Sequence, residues 1–588
     1  MTEAVSTRRM VILGGYGVFG GRLAEALLRS SRFEVIVAGR SLEQAERFCA
    51  QTGGTPAVLD REAADFPAAL AALSPFITVD AAGPFQAYGG NLYRVAEAAL
   101  KTGSHYLDLA DDGAFTRGIH ALDRQAKAAG CVVLSGVSSV PALSSAAVET
   151  LKTDFTRLDL IESTILPGNR APRGLSVIRA ILAQAGRPLV ITRDGIRQTV
   201  SGWSGLRKRR LGRAGDGGLP PRWSSFIGAP DLILFPDHYG ARTVLFRAGL
   251  ELPLMHLGLW GLSWLVRLGL IRSLEHAAKA LQWTANRLKP LGTDRGGMEV
   301  RVCGSDLQGR PLSRCWTLIA EAGDGPHIPA VAATVLCERI SGDAVQPGAR
   351  PCLGEFTLRE ADAAMAPLNV RTFMSADTRP TLFQQVLGDT FANLPQPIQA
   401  LHTVYDRRHW AGQAKVTRGR SLLGNLLCRM VGFPPEAAET PVSVGIDRHQ
   451  DGETWRRCFG SKAFTSHLCA RDDTGSGHIR ERFGLVRFDI DLHLEDGQLH
   501  YPVRRGTLLG LPLPKWLLPV SAATEFVTDD RFHFDVKLSL PGIGLLVHYQ
   551  GWLEEARPED LRPSGAVHAE ALNCRPGVTP RRTERAEP

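Results

Sequence analysis

The chain has 588 residues, too many for one ordinary domain, and 44% of them are hydrophobic against 22% charged, a globular balance that excludes a disordered protein. A formal charge of +8 suits an anionic cofactor or an acidic membrane surface, but with no zinc-finger spacing or aromatic-basic RNA motif no nucleic-acid partner is expected. The ten cysteines are scattered with no Cys-x-x-Cys pair, which argues against a zinc ribbon or a disulfide framework and for a reducing compartment.

Met1 to Arg9 is polar, with no signal-peptide core, so a cytoplasmic location is expected. Val11 to Gly20 reads Val-Ile-Leu-Gly-Gly-Tyr-Gly-Val-Phe-Gly, and Leu23, Ala24, Ala26, Leu27 and Leu28 follow: a strand, a tight turn and a helix. The spacing Gly15-x-Gly17-x-x-Gly20 fits a dinucleotide fingerprint, with Tyr16, Val18 and Phe19 completing the loop. Gly15 is expected to allow the turn, Gly17 to let a pyrophosphate approach, and Gly20 to let the helix pack on the strand. Free amides at the positive helix end then hold the phosphates.

A second strand, Phe33 to Ala38, runs into Gly39-Arg40-Ser41. NAD-binding folds usually place an acid near this strand end for the ribose hydroxyls. Here Ala38 and Gly39 occupy it and Arg40 follows, a residue that pairs with a 2′-phosphate, so NADP(H) is the expected cofactor. The other reading of Arg40 is a surface arginine after a strand turn. A short strand, Ala57 to Leu59, ends in Asp60, an expected adenine-edge contact, and Phe76 to Ala82 ends in Gly83-Pro84-Phe85. Leu92 to Leu100 reads as a helix, His105 to Leu109 as a strand, Ile119 to Ala129 as a helix and Cys131 to Leu134 as a strand. The alternation predicts a Rossmann-type doubly wound parallel sheet over 1–143.

These blocks carry a family resemblance. Gly83-Pro84-Phe85-Gln86-Ala87-Tyr88-Gly89 resembles the Gly-Pro-Phe-x-x-Tyr-Gly segment of the saccharopine-dehydrogenase-like oxidoreductases. Ala98 to Leu109 is similar to their next block, and Gly136-Val137-Ser138-Ser139-Val140-Pro141 to their Gly-Phe-Asp-Ser-x-Pro turn. Gly325-Pro326-His327-Ile328-Pro329-Ala330 opens a helix similar to the one that returns to the nucleotide domain, expected over about 325–365. The resemblance covers about residues 8–365. It implies that Ala82, Gly83 and Pro84 line the nicotinamide side of the cleft. Ser138 stands where the family often carries Asp and lacks the charge for acid–base work, so the resemblance carries the cofactor further than it carries the saccharopine substrate.

An α+β substrate or dimerisation domain is expected over 144–324, with a homodimer as the assembly. Arg207-Lys208-Arg209-Arg210 reads either as a solvated loop or as a contact for an anionic lipid or phosphate. Leu252 to Ile271 is the most apolar stretch, but it contains Pro253, His256 and Arg267. A buried or oligomer-interface helix is its leading reading, a peripheral membrane contact the next and a spanning helix the last. Residues 366–381 read as a linker.

Leu382 to Leu394 reads as a helical segment, and period-two runs follow at Val442 to Ile446, Thr454 to Phe459, Leu485 to Leu494, Leu499 to Val503, Phe532 to Leu540 and Leu545 to Leu553. They predict a β-rich antiparallel domain over 382–555. The blocks around Trp455, Glu481 to Gly484, Leu511 to Pro519 and His548 to Leu553 resemble a bacterial domain family of unknown function, often fused behind saccharopine-dehydrogenase-like chains. Trp455, Trp516 and Trp552 either line an apolar cavity or pack as core. Residues 556–588 are Pro/Arg/Glu-rich and expected to be disordered.

Hydride transfer needs a proton donor beside the nicotinamide. No tyrosine has lysine four residues on, so the short-chain dehydrogenase arrangement is excluded. Tyr88, His105 and Asp108 are the candidates, each with a structural reading: Tyr88 in a turn, His105 hydrogen-bonded at a strand start, Asp108 capping a strand end. No metal-ligand spacing is present, and none is expected to bind. The leading reading is an NADP-dependent oxidoreductase acting on a small, unidentified metabolite, with the apolar runs 252–271 and 508–520 pointing to a lipid-like one. The alternative is a non-catalytic NADP-binding redox sensor or membrane-associated scaffold.

Overall fold

A computed structural model of the chain describes residues 8–556, apart from 173, 213, 214, 216, 377–379, 472 and 473. The expected disordered tail lies outside the described residues beyond Ala556. Strands β1 (Arg8–Leu13), β2 (Phe33–Gly39), β3 (Thr55–Val58), β4 (Ile77–Asp80), β5 (His105–Asp108) and β6 (Val132–Ser135) pair in parallel in the order 3-2-1-4-5-6. A seventh parallel strand, Gly348–Pro351, adds to the outer edge of β6. The sheet is buried on both faces, which is why Met10 to Leu13 of β1 reads as an unbroken apolar run. Met10 and Ile12 join the cluster holding Leu23 and Leu27 of helix α1 (Val18–Ser30), while Val11 and Leu13 point to the opposite cluster with Phe66 and Val95. Each such buried leucine contributes roughly 1.5–3 kcal/mol.

Two expectations change here. Ile119 to Ala129 is not one helix: a 3-10 turn, Ile119–Leu122, precedes the helix Asp123–Ala128. The return segment at 325–365 is also not one helix. The helix Ile328–Ser341 packs against α1, then the chain supplies the seventh strand before the helix Leu358–Met365.

Between β6 and the seventh strand lie eight of the nine strands of a mixed sheet. Its centre is the strand Arg157–Leu166, parallel to Thr243–Ala248 on one side and antiparallel to Gly296–Ser305 on the other. The Arg207-to-Arg210 run is not a loop throughout, although Lys208 and Arg210 are exposed. Arg207–Arg209 is a strand, and Arg209 turns inward to Glu162 and to Glu299 at 2.9 Å. Arg247 joins Glu162 at 2.8 Å, so the cluster compensates its buried charges within the sheet. The 366–381 region is not a bare linker either: Val370–Ala376 pairs antiparallel with Pro311–Ala320 and forms the sheet edge.

The apolar 252–271 stretch forms the helix Pro253–Arg267, which buries His256, Leu259, Ser263 and Val266 and exposes Leu254, Trp264 and Leu265. Among the described residues no helix is long and apolar enough to cross a membrane.

From Leu382 onward the helices Leu382–Leu387 and Gln396–His402 lead into a 13-stranded, all-antiparallel sheet. Strand Val486–Asp491 lies near one end of it, and the hairpin His493–Glu495/Gln498–His500 forms the other end. Only Leu492 separates Asp491 from His493, so the two ends of the sheet meet and the sheet curls into a barrel. The chain at 501–502 joins the two ends: Tyr501 N donates to Ala523 O at 3.0 Å on one side, and Asp491 N donates to Pro502 O at 3.1 Å on the other.

Candidate functional site

The carboxyl ends of β1, β2, β4, β5 and β6 converge on one edge of the parallel sheet, where such folds take their ligands. The loop after β1 differs from its expected roles in one respect. Gly14, not Gly15, takes the left-handed backbone, at φ +72°, and a side chain there would also strike Ala81 O at 2.8 Å. The Gly14-Gly15 doublet was the available signal. Gly15 instead permits close approach: a Cβ would come within 2.9 Å of Ile12 O. At Gly20 a Cβ would lie 2.3 Å from Gly14 O, so this glycine lets α1 press onto the loop.

Gly17 is exposed and caps α1 without a side-chain hydrogen bond. The first intrahelical bond is Gly21 N to Gly17 O at 2.9 Å, so the amides of Val18, Phe19 and Gly20 form the open first turn. A Cβ on Gly17 would meet Gly14 O at 3.0 Å and nothing else within 4 Å. The donors and the clear space fit a pyrophosphate.

Tyr16 lies over the end of β2. A Cβ on Gly39 would strike its ring, and its hydroxyl accepts from Ser41 N at 3.1 Å. Ser41 Oγ in turn caps the helix Leu42–Thr52, accepting from Gln44 N. Arg40 is exposed between them, with no ion-pair or hydrogen-bond partner among the described residues. Asp60 is half-buried after β3, its Oδ1 accepting from Glu62 N at 3.1 Å.

Ala82, Gly83 and Pro84 follow β4. Asp80, fully buried, accepts from Ala82 N at 3.0 Å and from the Tyr88 hydroxyl at 3.1 Å. Burial raises the Asp80 carboxyl and pushes the Tyr88 hydroxyl well up, so Tyr88 keeps its proton and donates it to Asp80 as a hydrogen bond. The Arg61 guanidinium, missed in the sequence, stacks on the Tyr88 ring at 3.3 Å. Tyr88 therefore braces the loop that carries Gly83 and Pro84.

Asp108 at the end of β5 is also fully buried. Its Oδ1 accepts from Gly136 N at 2.8 Å and from Ala110 N and Ser135 Oγ at 3.0 Å each, while Oδ2 has no partner. Burial lifts this carboxyl to about 7. It ties the loops after β5 and β6 together. His105 stands at the other end of β5, three residues or roughly 10 Å from the cleft edge. Its Nδ1 accepts from Val132 N at 2.9 Å, and burial lowers its pKa. The geometry thus gives Tyr88, His105 and Asp108 structural positions, and His105 is not at the cleft. The exposed pair on this rim is Gln86 and Asp111, joined at 3.0 Å across the loops after β4 and β5; neither stood out in the sequence.

This is a Rossmann-type dinucleotide-binding fold. Residues 10–134 match the family described as the saccharopine dehydrogenase NADP binding domain, and residues 394–553 match a domain of unknown function (DUF4166). The chain therefore joins a nicotinamide-nucleotide domain of the saccharopine dehydrogenase type to that C-terminal domain. Among solved structures it is similar to apo saccharopine dehydrogenase (L-Glu forming) from Saccharomyces cerevisiae, with 15% identity and a TM-score of 0.45, over 63% of this chain and 100% of that one. It is also similar to biliverdin reductase in complex with biliverdin and NADP+ from Synechocystis sp. PCC 6803, with 12% identity and a TM-score of 0.27, over 61% of this chain and 96% of that one. A comparison with curated proteins returns no match.

Proposed function

We propose that the protein is an NADP(H)-dependent oxidoreductase acting on a small, lipid-like metabolite. The observation that carries the cofactor choice is Arg40: an exposed, unpartnered guanidinium beside Ser41 at a strand end with no acid. In this reading the amides of Val18, Phe19 and Gly20 bind the pyrophosphate over Gly17. Arg40 and Ser41 hold the 2′-phosphate, Tyr16 orients the ribose side and Asp60 meets the adenine edge. Ala82, Gly83 and Pro84 line the nicotinamide side, with their loop held by Asp80, Tyr88 and Arg61. The cofactor, when bound, supplies or takes up hydride. Asp108 is a positioning residue that fixes the loops on either side of the substrate space. The apolar stretches 252–271 and 508–520 support a lipid-like substrate.

Fluorescence titration with NADPH and NADH tests this. Arg40→Ala is expected to weaken NADPH binding about 10–100-fold, the worth of a charge-assisted contact, and to leave NADH binding within about twofold. Equal loss for both cofactors would remove the 2′-phosphate role. No binding of either by the native chain would remove the oxidoreductase reading.

A further inference from the structure

The C-terminal barrel encloses a cavity of about 780 Å³, within the ~300–1,000 Å³ range of small-molecule sites. Its wall is apolar, with Val444, Phe459, Ile479, Phe488, Phe534 and Tyr549 facing inward. Trp455 lines it, whereas Trp516 and Trp552 do not. A sheet of this many strands is wide enough to leave a hollow. The end near Leu401 and His402 is closed by the helices Leu382–Leu387 and Gln396–His402, with Phe383 stacked on His402 at 3.6 Å.

The other end is open and apolar. The strand turns at 484–485, 509–510 and 541–543 gather there with the helix Leu422–Val431. That helix is apolar on nearly every side yet lies on the surface, an arrangement that a water-facing helix does not need. Met430 is 76% exposed and also lines the cavity, as does Leu485 at 67%; Trp516, next in the chain to the lining residue Leu517, is 65% exposed. Leu422, Leu426, Leu509, Leu511 and Val520 extend the patch. Arg420, Arg429, Arg482 and Arg487 surround it, exposed and without a carboxylate partner among the described residues. An apolar rim ringed by unpaired arginines is complementary to an anionic bilayer.

The charged groups in the wall are already paired. Arg457 meets Glu481 at 3.3 Å and donates to Ser466 Oγ at 2.7 Å. Glu525 meets His402 Nε2 at 2.6 Å, with the Tyr501 hydroxyl 3.2 Å from the same nitrogen. A carboxylate entering the cavity would face Glu481 and Glu525, whereas an alcohol, aldehyde or ester would not.

We propose that the C-terminal barrel is a lipid-carrying domain whose cavity takes the aliphatic chain of a lipid with an uncharged polar end, loaded from an anionic bilayer on which the open rim rests. This stands on the barrel alone and does not depend on the nucleotide domain.

The test uses the full chain, N-phenyl-1-naphthylamine as the fluorescent probe, and vesicles of phosphatidylcholine with or without phosphatidylglycerol. The probe is expected to bind and to be displaced by hexadecan-1-ol at concentrations about tenfold lower than by hexadecanoate. Ala523→Trp and Thr465→Trp, each filling the cavity from a different strand, are expected to reduce probe binding about tenfold or more with an unchanged circular-dichroism spectrum. Co-sedimentation is expected only with the anionic vesicles, and to be lost in Arg429→Glu/Arg487→Glu and in Leu426→Asp/Trp516→Asp. Native probe affinity in both folded tryptophan variants would overturn the cavity site. Preference for hexadecanoate would overturn the uncharged ligand. Failure to bind anionic vesicles, or a rim that holds a second copy in a dimer broken by Leu426→Asp, would overturn the bilayer as the occupant.

Discussion

Asp231 is fully buried at the start of the helix Asp231–Tyr239, with Oδ1 accepting from Ser144 and Oδ2 from Ser163, at 3.0 and 2.9 Å. Two hydroxyl donors do not replace water around a buried carboxylate, so burial lifts its pKa to about 7. A carboxyl raised in the folded state binds its proton there first. Its stabilising effect is therefore present below the ordinary value near 4 and is lost as pH rises toward 7, at about 1.4 kcal/mol per pH unit. Asp108, also lifted to about 7, acts in the same sense. His256, which burial lowers to about 4, acts oppositely between about 4 and 6.5. The informative measurement is therefore a difference. Urea unfolding of the native chain and Asp231→Asn between pH 4.5 and 7 is expected to show the variant gaining relative stability as pH rises. A constant difference would mean that Asp231 is ionised throughout. Burial of this kind has no signature in a single sequence. Asp108 stood out there as a strand-end block, but two of its three hydrogen bonds depend on the neighbouring loop at 135–136.

At the scale of single elements, the strand Arg207–Arg209 binds the edge of the central sheet through charge. Burial alone would raise Glu162, but Arg209, Arg247 and Arg207 hold it well below the usual carboxylate range. Removing Arg209 leaves Glu162 short of its shortest contact and strips Glu299 of a partner. Arg209→Met is expected to cost about 3–5 kcal/mol in denaturant unfolding, whereas substituting the exposed Lys208 is expected to change little. A loss under about 1 kcal/mol would mean that Arg247 and Arg301 compensate the cluster without it. The same elements show where the sequence could be read. Met10 to Leu13 of β1 and Val35 to Ala38 of β2 are apolar and buried throughout, so their pattern is unambiguous. The strand Val370–Ala376 is an edge whose residues are all half-buried or exposed, and it carries no period-two contrast. The seventh parallel strand is four residues long, with Gly and Pro at its ends, and local pattern cannot separate it from a turn.

Across the whole molecule, the barrel and the central sheet are joined by a charge network. Arg408 meets Asp159 at 3.1 Å and also Glu555, while Asp194 receives Arg242 at 2.7 Å and His409 at 2.9 Å. Arg193 closes a two-pronged pair with Asp406 at 2.6 and 2.7 Å. Asp159, Asp194 and Asp406 are buried, so their partners across the junction are required rather than optional. Calorimetry is expected to show these two bodies unfolding in one transition. Arg408→Met is expected to split off an earlier one, and two separate transitions in the native chain would mean that the network couples nothing.

The position of the seventh strand has a consequence for biosynthesis. The first six strands of the nucleotide sheet emerge from the ribosome by Ser135, but their outermost neighbour, Gly348–Pro351, follows only after eight strands of the central sheet. Until then the backbone of β6 is an uncovered edge, ready to pair with the wrong chain. A nascent chain stalled near residue 143 is expected to be chaperone-bound and to aggregate on release, whereas one stalled beyond residue 365 is expected to be soluble and protease-resistant over 8–135. On this ribosomal timetable, the first domain to begin folding is not the first to finish.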